Sequence, residues 1–276
     1  MKLFQVAACL VLLAVCLASP APPRVARALL QPRSNVRIID GGDAAPFQFP
    51  WQAALLAEHR FFCGGSIIAP TWILTAGHCV DPLTEFHVVV GALTMPKGHE
   101  ASRQRFKTNR RFLHPRYDVK FLDNDIGMLQ LPTSIEFNIF VQAVALPSYS
   151  AATVDWTGVE ARVSGWGKTT DLADHNSPML KFTTLKVVAN AVCEHVYGNT
   201  MIANKLCLSS DDGGHGVCQG DSGGALVVRQ GKTMVQIGIT SFVSLEGCTV
   251  GMPQGFTRVT AFLDFIEETT GIHIED

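Results

Sequence analysis

From Ile38 onward, short apolar runs are separated by Gly, Pro, Asn and Asp. The clearest runs cover residues 51–56, 66–68, 72–75, 87–90, 126–131, 159–163, 225–228 and 235–240. Their brevity and β-branched content predict strands at the spacing of a sandwich or barrel. One stretch, about 260–270, predicts a helix. Thr260 is placed to cap it, and Phe262, Leu263, Phe265 and Ile266 form an apolar face. Strands and helices do not alternate, which argues against a parallel α/β sheet. The pattern therefore predicts an all-β chain with a C-terminal α-helix, and by itself does not divide the strands into barrels.

The first 37 residues read differently. Lys2 precedes an apolar run over residues 6–17, with small Cys16 and Ala18 at the −3 and −1 positions of a cleavage after Ala18. The run is too short to span a bilayer, and Pro20, Pro22 and Pro23 follow it directly, so residues 1–18 read as an export signal. Residues 19–37 are rich in Pro, Arg and Ala without helical or strand period, and read as an unstructured propeptide. Lys2, Arg24, Arg27, Arg33 and Arg37 are unopposed by any acid in this region. Without those five, 17 basic residues face 24 acidic ones, a net −7 against −2 for the whole chain. Such a surface disfavours nucleic acid and anionic lipid as partners.

Of eight cysteines, Cys9 and Cys16 leave with the signal. The remaining Cys63, Cys79, Cys193, Cys207, Cys218 and Cys248 are an even set in an exported chain, which predicts three disulfides. Six cysteines allow 15 pairings, so the connectivity stays open at this point. The absence of a close C-x-x-C pair argues against zinc.

Four segments carry candidate chemistry. In Gly220-Asp221-Ser222-Gly223-Gly224, a Ser among glycines lets the backbone approach a carbonyl and aim two N–H groups at one spot. In Thr75-Ala76-Gly77-His78-Cys79, a His adjoins a half-cystine. Asn124-Asp125-Ile126-Gly127-Met128-Leu129 places an Asp before an apolar strand, and Arg37-Ile38-Ile39-Asp40-Gly41-Gly42 sets a basic residue before an apolar pair. Taken singly, these are a Gly-rich turn, an ordinary His, a turn Asp and a loop.

Together, and in the order His, Asp, Ser, they resemble the chymotrypsin-like (S1) serine peptidases over residues 38 to about 271. Cys63-Gly64-Gly65-Ser66-Ile67-Ile68, Val163-Ser164-Gly165-Trp166-Gly167, Ser241-Phe242-Val243-Ser244 and Thr257-Arg258-Val259 strengthen the likeness. The stretch from Gly251 to Val259 is most similar to arthropod brachyurin-type and chymotrypsin- or elastase-like digestive enzymes. The resemblance implies two packed antiparallel six-stranded β-barrels, about 38–143 and 144–259, followed by the helix. It implies a triad of His78, Asp125 and Ser222 acting as base, orienting acid and nucleophile, with Gly220 and Ser222 N–H groups as oxyanion hole. It implies disulfides Cys63–Cys79, Cys193–Cys207 and Cys218–Cys248, and no cofactor or metal. It further implies a zymogen: a trypsin-like activator would cut after Arg37, and the freed Ile38 amine would pair with Asp221.

The same resemblance assigns substrate binding to Gly216, Val217, Gln219, Ser241, Phe242, Val243 and Gln254. Trypsin-like members carry an Asp where Gly216 stands, so a basic substrate side chain would lack its counter-charge. Val243 replaces a wall glycine and Gln254 stands on the back wall, which predicts a narrowed, uncharged pocket for small or medium apolar side chains. Ala92 stands where calcium-binding members carry Glu, so no calcium site is expected. Gly77 and Ala225 replace a common Ala and Pro without removing a catalytic group. The competing class is a secreted homologue that binds without catalysis, and retention of all three triad residues counts against it. Proteins and peptides are the expected substrates, protease inhibitors further expected partners, and a monomer the default. The lack of an appended module favours a digestive over a regulatory role.

Overall fold

The computed structural model describes residues 41–57, 61–95, 98–198, 203–210 and 216–276. The expected signal and propeptide, and the Arg37–Ile38 junction, lie outside these residues. A two-residue strand β1 (Gly42–Asp43) opens the described chain. The next seven strands form one antiparallel sheet: β2 (Gln52–Ala57), β3 (Phe61–Ala69), β4 (Trp72–Thr75), β5 (Phe86–Val90), β6 (Gln104–Thr108), β7 (Arg111–Leu113) and β8 (Gly127–Gln130). Their spatial order is β6-β5-β2-β3-β4-β8-β7.

The second sheet contains β9 (Glu160–Gly165), β10 (Lys181–Val188), β11 (Lys205–Ser209), β12 (Ala225–Gln230), β13 (Thr233–Phe242) and β14 (Gln254–Arg258). It runs β10-β11-β14-β13-β12-β9 and closes by pairing β9 with β10, from Lys181↔Gly165 to Lys186↔Glu160. This is the expected six-stranded barrel. The first sheet is a half-barrel of seven strands whose ladder stays open between β6 and β7 among the described residues. Residues 42–43, expected in the first barrel, pair with β10 of the second.

Local sequence explains the pairing. All of β2 is buried or nearly so, which suits a central strand covered on both faces. In β10, Thr183, Leu185 and Val187 are buried while Thr184 and Lys186 are exposed, the period-two pattern of a half-buried strand. Trp166 fills the first core without exposure, and its indole N–H donates to the Leu93 carbonyl at 3.1 Å. Buried polar side chains bridge the two sheets. Ser164 Oγ donates to Gln52 Oε1 at 2.6 Å, and Ser66 Oγ to Gln236 Oε1 at 2.7 Å. Each bond satisfies groups whose burial would otherwise cost about 1–3 kcal/mol.

The terminal helix α2 covers Leu263–Thr270, after a helix α1 (Asn190–Tyr197) that the apolar pattern did not predict. Thr260 does not cap α2. It lies in a 3-10 turn, Val259–Ala261, and its buried hydroxyl has no partner among the described residues; Phe262 occupies the cap position without a side-chain bond. Packing fixes the helix instead: Leu263 and Ile266 are buried, and Phe262 and Phe265 meet the His114 ring edge-on. Gly271, at φ 71°, ends it with its N–H on the Glu267 carbonyl.

The loop between β5 and β6 is closed by an internal ion pair. Glu100 accepts from Arg103, which is almost fully buried, and from the Thr94 hydroxyl and N–H. Burial would raise this carboxyl, but the bonds from Thr94 and Arg103 outweigh it and hold it at about 2.

Candidate active site

His78 and Asp125 meet where the first sheet faces the second. β4 ends at Thr75, and the 3-10 turn Gly77–Cys79 presents His78. The disulfide Cys63–Cys79 ties that turn to β3. A cross-link closing a loop of about 15 residues is worth about 3 kcal/mol, so the imidazole sits on a constrained backbone. Gly77 has little room: a Cβ there would approach the Asp125 carboxylate at 3.2 Å.

Asp125 is fully buried at the entrance to β8. Its Oδ2 lies 2.9 Å from His78 Nδ1, its Oδ1 accepts the His78 backbone N–H at 2.9 Å, and the Ser241 hydroxyl donates to Oδ2 at 2.5 Å. Thr257 Oγ1 holds the Asp125 carbonyl at 2.8 Å. Ser241 and Thr257 come from β13 and β14, so both sheets build this site. Burial lowers the His78 pKa, but the Asp125 charge and hydrogen bond outweigh it and leave the imidazole above its ordinary value. His78 is thereby fixed with Nδ1 toward the acid and Nε2 free to accept a proton.

Ser222 is brought to the same junction through its backbone. Its carbonyl accepts the Gly64 N–H at 2.7 Å, and a Cβ on Gly223 would meet Thr75 Oγ1 and the Ala76 nitrogen. Ser222 Oγ makes no hydrogen bond with His78 among the described residues, and such bonds commonly tighten only with substrate. Around it, the N–H groups of Cys218, Asp221, Gly223 and Gly224 all donate within the protein. Those of Gly220 and Ser222 donate to no group among the described residues, which leaves them for a ligand oxygen. Gly220 reaches this position at φ 99°, and a Cβ there would strike the Asn176 amide.

Asp221 points inward. It is 1% exposed, and its carboxylate accepts the Gly167 N–H at 2.7 Å and the Cys218 N–H at 3.0 Å. Burial, only partly offset by these two bonds, raises it to about 6. A Cβ on Gly165 or Gly167 would collide with this carboxylate, which explains the glycines flanking Trp166. Arg37 and Ile38 lie outside the described residues.

The candidate pocket residues also gather. Disulfides join Cys218 to Cys248 and Cys193 to Cys207. Val243 packs against Cys218 and Cys248. Gln254 is buried and reaches Val217, accepting its N–H at 2.9 Å and donating to its carbonyl at 3.1 Å. A Cβ on Gly216 would collide with the Gln254 amide, so this side chain closes the space beneath Gly216. Gln219 is exposed, with its carbonyl on the Lys168 N–H. Phe242 packs edge-on to Tyr197 and lines, with Val243, a cleft of about 710 Å³. The side chain of Ser241, expected at the substrate, turns to Asp125.

A family model described as "Trypsin" matches residues 38–266. The chain belongs to the trypsin family. Brachyurin of Leptuca pugilator is 39% identical over 85% of this chain and 99% of its own. Chymotrypsin of Phaedon cochleariae is 34% identical over 84% and 82%, and collagenase of Hypoderma lineatum 32% over 86% and 88%. A solved structure of HL collagenase aligns with TM-score 0.77 at 32% identity, covering 86% of this chain and all of that one. This trypsin-family chain is thus a serine endopeptidase related to proteases over most of its length. No helix among its described residues is long and apolar enough to cross a membrane.

Sequence reading missed several residues of this trypsin-family site. Asn204 and Asn176 carried no local signal, because their loops lack an apolar period, and Thr257 was read only as part of the Thr257-Arg258-Val259 likeness, not as the group that holds Asp125. Asp171 was also missed: it braces the pocket loop by accepting the N–H groups of Cys248 at 2.6 Å and Thr249 at 3.1 Å.

Proposed function

We propose that this protein is a secreted serine endopeptidase zymogen whose triad is His78, Asp125 and Ser222. The observation that carries the reading is the pairing of half-buried His78 with fully buried Asp125, with Nδ1 on the acid and the base raised above its ordinary pKa. In the proposed cycle, Ser222 Oγ attacks the substrate carbonyl carbon while His78 Nε2 takes its proton. The carbonyl becomes an oxyanion held by the free N–H groups of Gly220 and Ser222. His78 returns the proton to the leaving amine, and an acyl-enzyme remains. Water, deprotonated by His78, then attacks the acyl carbon; the bond to Ser222 Oγ breaks, His78 returns the proton to Oγ, and the acid leaves.

Activation follows from Asp221. Cleavage after Arg37 by a trypsin-like protease frees the Ile38 amine, a cation suited to a buried acid whose described partners are two backbone N–H groups. Residues 1–18 direct secretion, and residues 19–37, without a cysteine, leave after cleavage. Protein and peptide substrates, protein inhibitors and a monomeric state complete the reading.

The pocket favours Ala, Val or Leu before the cut bond. Gln254 closes its base with both amide ends committed to Val217, and Val243 narrows its wall. The test uses proenzyme and a Ser222→Ala control, both cut at Arg37 by trypsin that is then inhibited. Peptides differing only at the residue before the cut should be hydrolysed in the order Ala, Val or Leu over Phe over Arg, with turnover absent in the control. A preference for Arg would refute the pocket reading. No Ser222-dependent turnover in folded, cut protein would favour a non-catalytic homologue.

A companion variant probes the pocket base. Gln254→Ala should move the preference toward Phe by about tenfold, the discrimination an apolar pocket typically draws from a small change in its depth. An unchanged ranking would show that Gln254 does not set the pocket depth.

A further inference from the structure

Lys205 begins β11 and is 1% exposed, an uncommon place for an ammonium. Its Nζ donates to Asp123 Oδ1 at 2.8 Å and to the Phe121 carbonyl at 2.9 Å, and lies 5.6 Å from the centre of the Phe242 ring. Phe121 and Asp123 belong to the loop of the first sheet that leads into Asp125; Lys205 and Phe242 belong to the second sheet. The lysine therefore spans the junction from behind the site.

The loop it grips is strained. Leu122 and Asn124 are non-glycine residues at φ 50° and 52°. Left-handed conformations of this kind persist only where surroundings over-determine them. Asn204, beside Lys205, adds a bond from Nδ2 to Asn124 Oδ1 at 3.1 Å, and Asn124 Nδ2 donates to the Arg116 carbonyl at 2.6 Å. Asp125 has its own anchors in Ser241, Thr257 and the His78 N–H. Within the loop, Asp118 accepts the Phe121 N–H at 3.2 Å and donates its own N–H to the Asp123 carbonyl at 3.0 Å; Lys205 is the side chain that ties Phe121 and Asp123 to the second sheet. Phe121 and Leu122 also form the wall of the 710 Å³ cleft that faces Phe242, Val243 and Tyr197.

We propose that Lys205 is a positioning and specificity residue. It fixes the Phe121–Leu122 wall against Phe242, and so sets how the cleft holds substrate residues on the acyl side, beyond the primary pocket. The proposal rests on the protease reading above. A methionine at 205 would fill the same volume but leave the partly exposed Asp123 carboxylate without its ammonium, and removing one partner of such a pair costs stability.

The test compares activated wild type, Lys205→Met and Asp123→Asn, each normalised to active sites by phosphonate titration. Two substrates share the same residue before the cut: an acyl-tetrapeptide amide and a single-residue ester. Lys205→Met should unfold at a lower temperature than wild type yet remain folded at the assay temperature, which its unfolding midpoint checks. Its kcat/KM on the tetrapeptide should fall by about tenfold to a hundredfold, mainly through KM, as expected for small misplacements away from the chemistry. The ester should change far less. Asp123→Asn keeps an oxygen for the ammonium and should fall between. Equal factors on both substrates, including no change, would overturn the proposal while leaving the protease reading intact. An inert wild type would sink both.

Discussion

Asp125→Asn is expected to lower kcat by about 10⁴-fold while the protein stays folded, the magnitude known for the same change in a trypsin-family triad. The geometry gives the reason. Asp125 accepts from three donors at once: the His78 N–H, the His78 ring and the Ser241 hydroxyl. An amide has one accepting oxygen, so its NH₂ must face one of these donors. If it faces the ring, Nδ1 must accept and Nε2 carries the proton, which is the wrong tautomer for taking one from Ser222. The pH dependence follows in sign. Burial depresses the His78 pKa, and the Asp125 charge more than restores it. The base works when neutral, so kcat/KM should fall as pH drops through that raised pKa. Removing the charge should shift the acid limb to lower pH, on a plateau about 10⁴ lower. Steady-state profiles of both proteins check this. A variant within tenfold of wild type, or one whose acid limb moves upward, would contradict the role assigned to Asp125.

Much of this site was legible because its chemistry sits in short segments. Apolar runs located β2, β3, β4, β5, β8, β9, β12 and β13, since strands buried on both faces read as near-continuous apolar runs. His78, Asp125 and Ser222 stood beside strand ends and glycines whose spacing carried the resemblance. The strands that escaped were those with mixed faces. β6 reads Gln-Arg-Phe-Lys-Thr and is an edge, where charge is an asset against aggregation. β11 opens with a lysine and β14 with a glutamine, and both polar groups are buried. A linear pattern treats Lys205 and Gln254 as surface. Only the meeting of two sheets gives one a carboxylate and a carbonyl, and the other the Val217 backbone. Thr260 failed in the opposite sense: a good capping residue was overridden by the packing of Phe262 and Leu263.

The uncut chain should lose stability as pH rises from about 4 to 6, and Asp221 should be the cause. Its carboxyl is raised from 3.8 to about 6 by burial, so the folded state holds a proton there that the unfolded state releases. Where the folded state binds more protons, stability falls with rising pH. The difference between the two values corresponds to about 3 kcal/mol, fully expressed above about pH 6. Cutting at Arg37 should reverse the sign. An ammonium beside Asp221 favours the charged form, lowers its pKa and makes the acid stabilising at neutral pH. Under the proposed activation, relief of a buried, unpaired charge in the segment that carries the Gly220 and Ser222 N–H groups would supply the driving force. Denaturant unfolding at pH 4.5 and 7, on a Ser222→Ala background to prevent self-digestion, checks the slope before and after cutting. Asp221→Asn should flatten both profiles. In an otherwise wild-type background, the cut Asp221→Asn protein should lose at least about 10²-fold in kcat, the cost of one misplaced oxyanion donor. An uncut protein with no pH slope would mean that Asp221 enters the interior only after cleavage. A cut Asp221→Asn variant with full activity would mean that the Ile38 amine does not act through this carboxylate.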